Sequence, residues 1–260
     1  MKPENPSKAC AHAPIVAESQ PLTAPREATL YLLPVTLSAG SPADVMPERN
    51  IEIARRVKHF VVENMRSARR FLKRCDPSID ISALSMTVLD EHTPASEVPA
   101  MLAPLERGED MAVVSEAGCP AVADPGSDIV AAAQRRGYKV CPLVGPSSIL
   151  LALMGSGFNG QSFCFAGYLP AGNEERTRKL REMERRIERE RQTQIFIETP
   201  YRNRRMIDEL CRQMPGRMLL CVASDLTGKE QKIVTQPLSK WSKADTQYLD
   251  RIPAIFLLFN

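Results

Sequence analysis

The sequence lacks the long apolar segments of membrane-spanning and secreted proteins. Among its 260 residues, no apolar run reaches the roughly eighteen residues that a helix needs to cross a bilayer. Its polar, proline-containing start also lacks the apolar core of a secretory signal. The composition, 43% hydrophobic and 25% charged, is typical of a soluble globular protein. We therefore expect a cytoplasmic location.

Histidine is scarce, and cysteine occurs without a metal-binding or disulfide pattern. The three histidines, His12, His59 and His92, are too far apart in sequence for the usual zinc spacing. The seven cysteines are odd in number and form no C-x-x-C pair. Several lie in apolar runs, where cysteine behaves as a small hydrophobic residue. We expect neither a structural metal nor a disulfide framework.

Two nucleotide-binding signatures are also missing. The chain contains no Walker A motif and no complete G-x-G-x-x-G, which argues against a nucleoside triphosphate or a dinucleotide as ligand. The formal net charge of +3 is too small to indicate nucleic-acid binding unless the positive charge is clustered.

The order of apolar and amphipathic segments predicts a parallel-sheet α/β domain at residues 28–145, after a disordered, proline-rich tail at 1–27. Helical patterns alternate with runs that are apolar on both faces, as buried parallel strands are. The predicted strands are 29–35, 59–63, 84–88, 111–115 and 138–144, and the predicted helices are 64–75, 95–107 and 128–136.

A second α/β domain with a mixed sheet is predicted at 146–260. A helix within 144–158, with Ser147 or Ser148 as N-cap, joins the two domains. The other predicted helices are 173–192 and 202–214, and the predicted strands are 162–170, 193–199, 217–225, 231–236 and 254–259. The turn at Gly228 is typical of a hairpin.

Three loops rich in glycine and proline follow predicted parallel strands, at 34–40, 115–126 and 145–148. Ligands of open parallel sheets collect at the carboxyl ends of the strands, where helix N-termini point outward. Gly118 and Gly126 can adopt positive φ, and Pro120, Pro125 and Pro146 stiffen the backbone. From the residues alone, a ligand site and simple tight turns are equally good interpretations.

The second and third loops read VSEAGCPAVADPG (114–126) and PLVGPSS (142–148). They resemble the two-loop signature of the tetrapyrrole methylase superfamily. Within it, the most similar family is the bacterial ribosomal RNA small-subunit methyltransferase I family, which methylates the 2'-hydroxyl of a cytidine ribose. Four further segments resemble motifs of that family in the same order: HFVVENMRSARRFL (59–72), DEH (90–92), FAGYLP (165–170) and IETPYR (197–202).

The resemblance implies a dimeric S-adenosylmethionine-dependent methyltransferase that binds its cofactor between two domains. The matching cofactor positions are Pro34, Gly118, Cys119, Val122, Ser147, Ser148, Glu198, Thr199, Pro253 and Ala254. The first loop, LLPVTLSAGS (32–41), keeps only the proline of the family's A-T-P-I-G-N-L. Asn64 and Met65 replace an acidic residue and a threonine. These departures fall on the acceptor side and leave the substrate open.

A ribose hydroxyl needs a base to remove its proton, and three side chains are candidates by position: Glu63, His92 and Glu198. Each also has a simpler interpretation. The two glutamates follow apolar strands and would then cap the next helices. His92 would then be an exposed loop residue.

Basic segments suggest where RNA binds. Helix 173–192 is rich in arginine, but glutamates recur at three- and four-residue spacings, which favours an ion-paired surface helix over an RNA contact. Five arginines have fewer acidic residues near them in the sequence, and we predict that they bind RNA: Arg66, Arg69, Arg70, Arg202 and Arg204. The predicted partner is ribosomal RNA or the small ribosomal subunit. A methyltransferase acting on a tetrapyrrole or another small molecule, and a non-catalytic S-adenosylmethionine-binding homologue, are the alternatives.

Overall fold

The computed structural model describes residues 28–260, so the predicted tail at 1–27 lies outside the described residues. The described chain forms two compact units that meet in sequence between Ser147 and Ser148. Each unit has its own sheet and its own apolar core. No helix within 28–260 is long and apolar enough to cross a membrane.

The N-terminal unit is built on a five-stranded sheet with the order β3-β2-β4-β1-β5, and all of its strand pairs are parallel. Its elements are β1 (Thr29–Leu32), α1 (Glu48–Arg56), β2 (His59–Val62), α2 (Met65–Cys75), β3 (Ser85–Val88), α3 (Ala103–Glu106), β4 (Met111–Val114), α4 (Gly126–Arg135) and β5 (Lys139–Pro142). Short 3₁₀ helices occupy Pro42–Asp44, Ile81–Ala83 and Val98–Leu102.

The central strands of this sheet are buried on both faces because side chains alternate between two core clusters. In β4, Val113 belongs to one cluster, and Ala112 and Val114 belong to the other. The prediction that all five strands are buried on both faces is wrong at the sheet edges. Residues of β3 and β5 are largely exposed or half-buried, since an edge strand is covered less completely than a central one.

Two helical predictions in this unit are corrected. Helix α1 was not predicted, although its Ile51, Ile53 and Ala54 are buried, because these residues stand among many charged ones. The predicted helix at 95–107 is a 3₁₀ helix followed by the single-turn α3. Pro99 and Pro104 lie in this segment, and proline cannot donate the backbone hydrogen bonds of a continuous α-helix.

The C-terminal unit contains a mixed five-stranded sheet with the order β6-β7-β10-β8-β9. Its elements are α5 (Ser148–Ser156), β6 (Phe163–Tyr168), α6 (Asn173–Glu190), β7 (Thr193–Ile197), α7 (Asn203–Gln213), β8 (Leu219–Ser224), β9 (Lys232–Pro237), α8 (Leu238–Trp241) and β10 (Ala254–Phe259). Strands β6 and β7 are parallel, and the other pairs are antiparallel. The predicted β8–β9 hairpin and the predicted fold class, a parallel-sheet unit followed by a mixed-sheet α/β unit, are confirmed.

Candidate functional site

The loops after β1 and β4 are joined by backbone hydrogen bonds. The Val35 amide donates to the Gly118 carbonyl at 2.9 Å, and the Gly118 amide donates to the Val35 carbonyl at 3.0 Å. Gly118 has φ +76°, a conformation that costs glycine little because it lacks a side chain. The first and second predicted loops are therefore one connected structure at the carboxyl edge of the sheet.

The loop after β5 packs against the other two. A Cβ atom added to Gly145 would lie 2.3 Å from Pro34 Cβ, so only glycine fits there without movement. The Cys119 thiol donates to the Pro146 carbonyl at 3.6 Å. From α1, the buried Asn50 amide donates to the Val144 carbonyl at 2.8 Å. We call the connected loops 33–41, 115–125 and 143–147 the loop cluster; it contains Pro34, Gly118, Cys119, Val122 and Ser147.

A strained turn within the loop cluster presents Val122 to solvent. Ala121 and Ala123 have φ of 66° and 62°, which non-glycine residues adopt at a cost of about 1–3 kcal/mol each. The side chain of Asp124 holds the turn, because its Oδ1 accepts from the amides of Ala121 at 3.0 Å and Gly126 at 2.7 Å. Burial raises the pKa of Asp124, and these N–H groups partly offset the rise. Val122 itself remains 48% exposed.

Glu63 lies at the end of β2, where it contacts the second loop. Its Oε2 accepts from the Glu116 amide at 3.1 Å. Burial raises the pKa of Glu63, and the nearby carboxylates of Glu116 and Asp124 raise it further, while the Glu116 amide opposes the shift. A small pocket at this edge is lined by Glu63, Ser115 and Asp124, among others.

The N-cap of α2 is Asn64, not Glu63. The Asn64 Oδ1 accepts from the Ser67 amide at 3.1 Å. The interpretation of Glu63 as a helix cap is therefore wrong. Its carboxylate instead accepts a hydrogen bond from the second loop. Asparagine and aspartate cap helices about equally well, so Asn64 carries no structural cost in place of an acidic residue.

His92 lies in a turn beyond β3. Its side chain is 85% exposed, and its Nε2 lies 3.7 Å from the equally exposed Glu91 carboxylate. The Asp90 Oδ1 accepts from the His92 amide at 3.0 Å and closes the turn. Its surroundings are those of an exposed loop residue.

In the C-terminal unit, the end of β7 and the start of β10 lie side by side, since Ile197 pairs with Ile255 in antiparallel register. This edge brings Glu198 and Thr199 near Pro253 and Ala254. The remaining predicted cofactor residue of this unit, Ser148, begins α5.

The Glu198 carboxylate is occupied by its neighbours. Its side chain is 7% exposed, and its Oε1 accepts from the Thr199 amide at 2.7 Å and the Thr199 hydroxyl at 3.1 Å. Arg202 Nε lies 3.7 Å from its other oxygen. These contacts stabilise the turn between β7 and α7. The interpretation of Glu198 as a helix cap is wrong, because the N-caps of the 3₁₀ helix Pro200–Arg202 and of α7 are Thr199 and Arg202.

Asn203, which the sequence did not single out, fixes the segment that precedes β10. Its side-chain amide donates to the carbonyls of Leu249 at 3.1 Å and Ile252 at 2.7 Å. Its Oδ1 is buried and has no hydrogen-bond partner within the described residues. The Asp225 amide donates to the Pro253 carbonyl at 3.1 Å and adds a second anchor.

The predicted RNA-binding arginines differ in their surroundings. On α2, Arg66, Arg69 and Arg70 are exposed and form no ion pair with any residue of the described chain. Arg69 contacts the Met65 sulfur at 3.2 Å. In the C-terminal unit, Arg204 is exposed, whereas Arg202 is half-buried beside Glu198.

Comparison with known proteins defines the family. The model of the tetrapyrrole (corrin/porphyrin) methylases matches residues 38–241. The chain belongs to this family, which confirms the predicted family and the methyltransferase class.

Individual relatives agree with this assignment. Over 211 residues the chain is 30% identical to the ribosomal RNA small subunit methyltransferase I of Vibrio cholerae serotype O1, and the match covers 81% of this chain and 69% of the relative. The fold is similar to that of the methyltransferase CobJ, with a TM-score of 0.58 and 19% identity; the match covers 90% of this chain and 93% of CobJ. The fold is also similar to that of uroporphyrin-III C-methyltransferase from Thermus thermophilus complexed with S-adenyl homocysteine, with a TM-score of 0.54 and 16% identity. This match covers 90% of this chain and 97% of the other.

Proposed function

We propose that this protein transfers a methyl group from S-adenosylmethionine to a ribose 2'-hydroxyl of small-subunit ribosomal RNA. The family match and the names of the curated relatives support the reaction class and the RNA. The observation that favours RNA over a small-molecule acceptor is the exposed basic face of α2. This helix starts two residues after Glu63, whose carboxylate contacts the loop cluster through the Glu116 amide.

The described residues fit this donor. S-adenosylmethionine supplies a methyl group on a positively charged sulfonium, and that charge disappears on transfer. The loop cluster contains Pro34, Gly118, Cys119 and Ser147, with the Gly118 backbone fixed by its two hydrogen bonds to Val35, and it exposes the apolar side chain of Val122. Such a surface suits an adenosyl group, which has apolar faces and hydrogen-bonding edges. The residues of the C-terminal unit that would hold the donor are Ser148, Glu198, Thr199, Pro253 and Ala254.

Rigidity is the main contribution of the loop cluster to catalysis. Because displacement at a methyl carbon needs donor and acceptor in line, much of the rate enhancement comes from orientation and exclusion of water. The bridge between Val35 and Gly118 and the contact between Gly145 and Pro34 hold the three loops before any ligand binds. Little ordering is therefore required on binding.

Glu63 is the general base in this proposal. It lies at the strand edge beside the loop cluster, and its carboxylate keeps one oxygen that does not accept from the Glu116 amide. Its raised pKa makes it a stronger base than an ordinary carboxylate. His92 is far more exposed, and Glu198 is engaged by Thr199, so both fit the role less well.

The exposed face of α2 holds the RNA. Arg66 and Arg70 are one helical turn apart, and Arg69 lies beside them. Arg74 donates to the buried Thr36 hydroxyl in the first loop, which fixes the helix against the loop cluster. In the C-terminal unit, the residues that contact RNA in this proposal are Arg202 and Arg204.

The protein acts as a homodimer in the cytoplasm in this proposal. On α5, Met154 is 79% exposed and Leu150, one turn earlier, is 50% exposed. Two large apolar side chains on one helical face favour burial against a second copy. Met154→Glu should shift the mass measured by sedimentation toward the monomer, and an unchanged dimer mass would contradict this interface.

Transfer of labelled methyl from S-adenosylmethionine distinguishes the candidate functions. The expected result is incorporation into small-subunit RNA that survives as an alkali-resistant dinucleotide, because a 2'-O-methyl blocks cleavage at that ribose. Transfer to free porphyrinogens instead would support a small-molecule methyltransferase. Donor binding without transfer to either would support a non-catalytic homologue.

A further inference from the structure

We infer that the outer face of α6 is a second RNA-binding surface, which contacts the phosphates of the same small-subunit RNA. This inference rests on the proposed function. The surface is a line of four exposed arginines, which we call the arginine stripe: Arg178, Arg181, Arg185 and Arg189.

The helix geometry aligns these four side chains. With about 100° of rotation per residue, they fall within an arc of about 80°. The opposite face, with Leu180, Met183 and Ile187, is buried in the core of the C-terminal unit. At about 1.5 Å per residue, the stripe runs for about 16 Å along the helix.

No glutamate of α6 forms an ion pair with a stripe arginine within the described residues, and Glu174, at the N-terminal end of the helix, is the one acidic residue that falls within the same arc. Glu182 pairs with Lys179 at 3.1 Å and with Arg186 at 2.9 Å, both on the flank of the helix. Glu188 pairs with Arg217 at 3.1 Å. None of the four stripe arginines forms an ion pair or hydrogen bond with another side chain between residues 28 and 260. The ion-paired interpretation of α6 is therefore confirmed for its flank, while the four arginines of the outer face are exposed without ion pairs in the described structure.

The shape of the stripe selects an extended polyanion. The arginines recur once per turn, about 5.4 Å apart along the axis, so a ligand with a single anionic group would engage only one or two of them. A phosphate backbone presents charge at regular intervals, and the arginine fork binds phosphate with two parallel hydrogen bonds. Beside Arg178 and Arg181, the side chains of Asn173, Glu174 and Thr177 line an open groove.

A matched pair of double variants isolates the stripe. Arg178→Gln with Arg185→Gln removes two stripe charges. The control, Lys179→Gln with Arg186→Gln, removes two charges from the ion-paired flank of the same helix. Both retain good helix formers, so circular dichroism should be unchanged.

Methylation kinetics and RNA binding at several salt concentrations are measured on the full-length protein. For the stripe variant, we expect KM for protein-free small-subunit RNA to rise about tenfold with kcat unchanged. The slope of log affinity against log salt should fall by about 0.7–0.9 for each lost phosphate contact. The control should change both quantities much less.

Equal effects of the two double variants would overturn the inference, as would a loss of affinity for the assembled subunit but not for protein-free RNA, which would point to a ribosomal protein. Failure of the proposed function has a different signature. The wild type would then methylate no RNA, while the two variants would still differ in the salt dependence of RNA binding.

Discussion

Gly145 packs against Pro34 so closely that a Cβ atom on the glycine would lie 2.3 Å from the proline Cβ. The two residues follow neighbouring parallel strands, β5 and β1, and bring the third loop of the loop cluster against the first. Because the colliding atom belongs to a proline ring, the neighbour cannot turn away as a flexible side chain would.

Gly145→Ala should therefore force the two loops apart. We expect the free energy of unfolding to fall by about 1–3 kcal/mol, as for other overpacked sites. The affinity for S-adenosylmethionine should fall as well, because the loop cluster loses its shape. Urea unfolding and titration calorimetry measure the two effects.

Gly160→Ala is the control for this substitution. Nothing lies within 4 Å of a Cβ atom at Gly160, so the variant should match the wild type in stability and donor binding. A Gly145→Ala protein with normal donor affinity would show that the contact with Pro34 does not shape the site.

The Asp124 side chain is expected to maintain the strained turn around Val122. Asp124→Ala leaves the amides of Ala121 and Gly126 without their acceptor, so we expect a loss of about 1–3 kcal/mol in the free energy of unfolding. Asp124→Asn keeps an oxygen at this position and should restore most of that stability and the donor affinity. If the alanine variant binds the donor as tightly as the asparagine variant, the turn has no role in binding.

Glu63→Gln tests the proposed base. Glutamine can still accept from the Glu116 amide, so the second loop should stay in place. We expect kcat to fall by about 10²–10⁴-fold with little change in KM, which is typical of a lost general base. The acidic limb of the pH–rate profile should disappear in this variant. A variant with normal kcat would exclude Glu63 as the base.

The same substitution has a pH-dependent effect on stability. The raised pKa of Glu63 means that the folded protein holds this proton more tightly than the unfolded chain. Stability from this group is therefore present below the ordinary glutamate pKa and is lost as pH rises through the raised value. In Glu63→Gln, the decline of the urea midpoint across this window should be smaller than in the wild type. The same pH dependence of the urea midpoint in both proteins would contradict the raised pKa of Glu63.

A buried ion pair joins α6 to α7. Arg176 Nε donates to the Glu209 carboxylate at 2.7 Å, and the arginine side chain is 2% exposed. Its other nitrogens donate to the carbonyls of Pro170 and Ala171 and to Asn173. Arg176→Met leaves the Glu209 charge buried without its partner, so we expect a loss of about 3–5 kcal/mol.

Two comparisons test that expectation by urea unfolding. Adding Glu209→Met to Arg176→Met should recover much of the stability, because the buried charge is then removed too. Arg217→Met breaks the exposed pair with Glu188 and should cost at most about 1 kcal/mol. Equal losses in the two single variants would contradict a special role for burial.

The sequence predicted features that depend on local pattern. Apolar runs located every strand of both sheets to within a few residues, and glycine, proline and strand order predicted that three loops gather at one edge. Helix α1 was missed because its buried apolar residues, Ile51, Ile53 and Ala54, are few among charged ones. The exposure of β3 also escaped, because an apolar run does not reveal whether its strand is central or at an edge.

Long-range polar contacts could not be predicted. Asn50 and Val144 are 94 residues apart, Asn203 and Leu249 are 46 apart, and Arg176 and Glu209 are 33 apart. Nothing in their local sequence distinguishes these polar residues from surface ones, since the partners meet only after the chain has folded. On α6, the spacing of Lys179, Glu182 and Arg186 predicted local ion pairs, but it did not predict the long-range pair between Glu188 and Arg217.

Titration calorimetry of the purified protein with S-adenosylmethionine and with its demethylated product tests the central claim most directly. We predict saturable binding of both ligands by the wild type and markedly weaker binding by Gly145→Ala, with Gly160→Ala unchanged. No heat of binding from folded wild-type protein with either ligand would contradict the assignment of the loop cluster as a donor site.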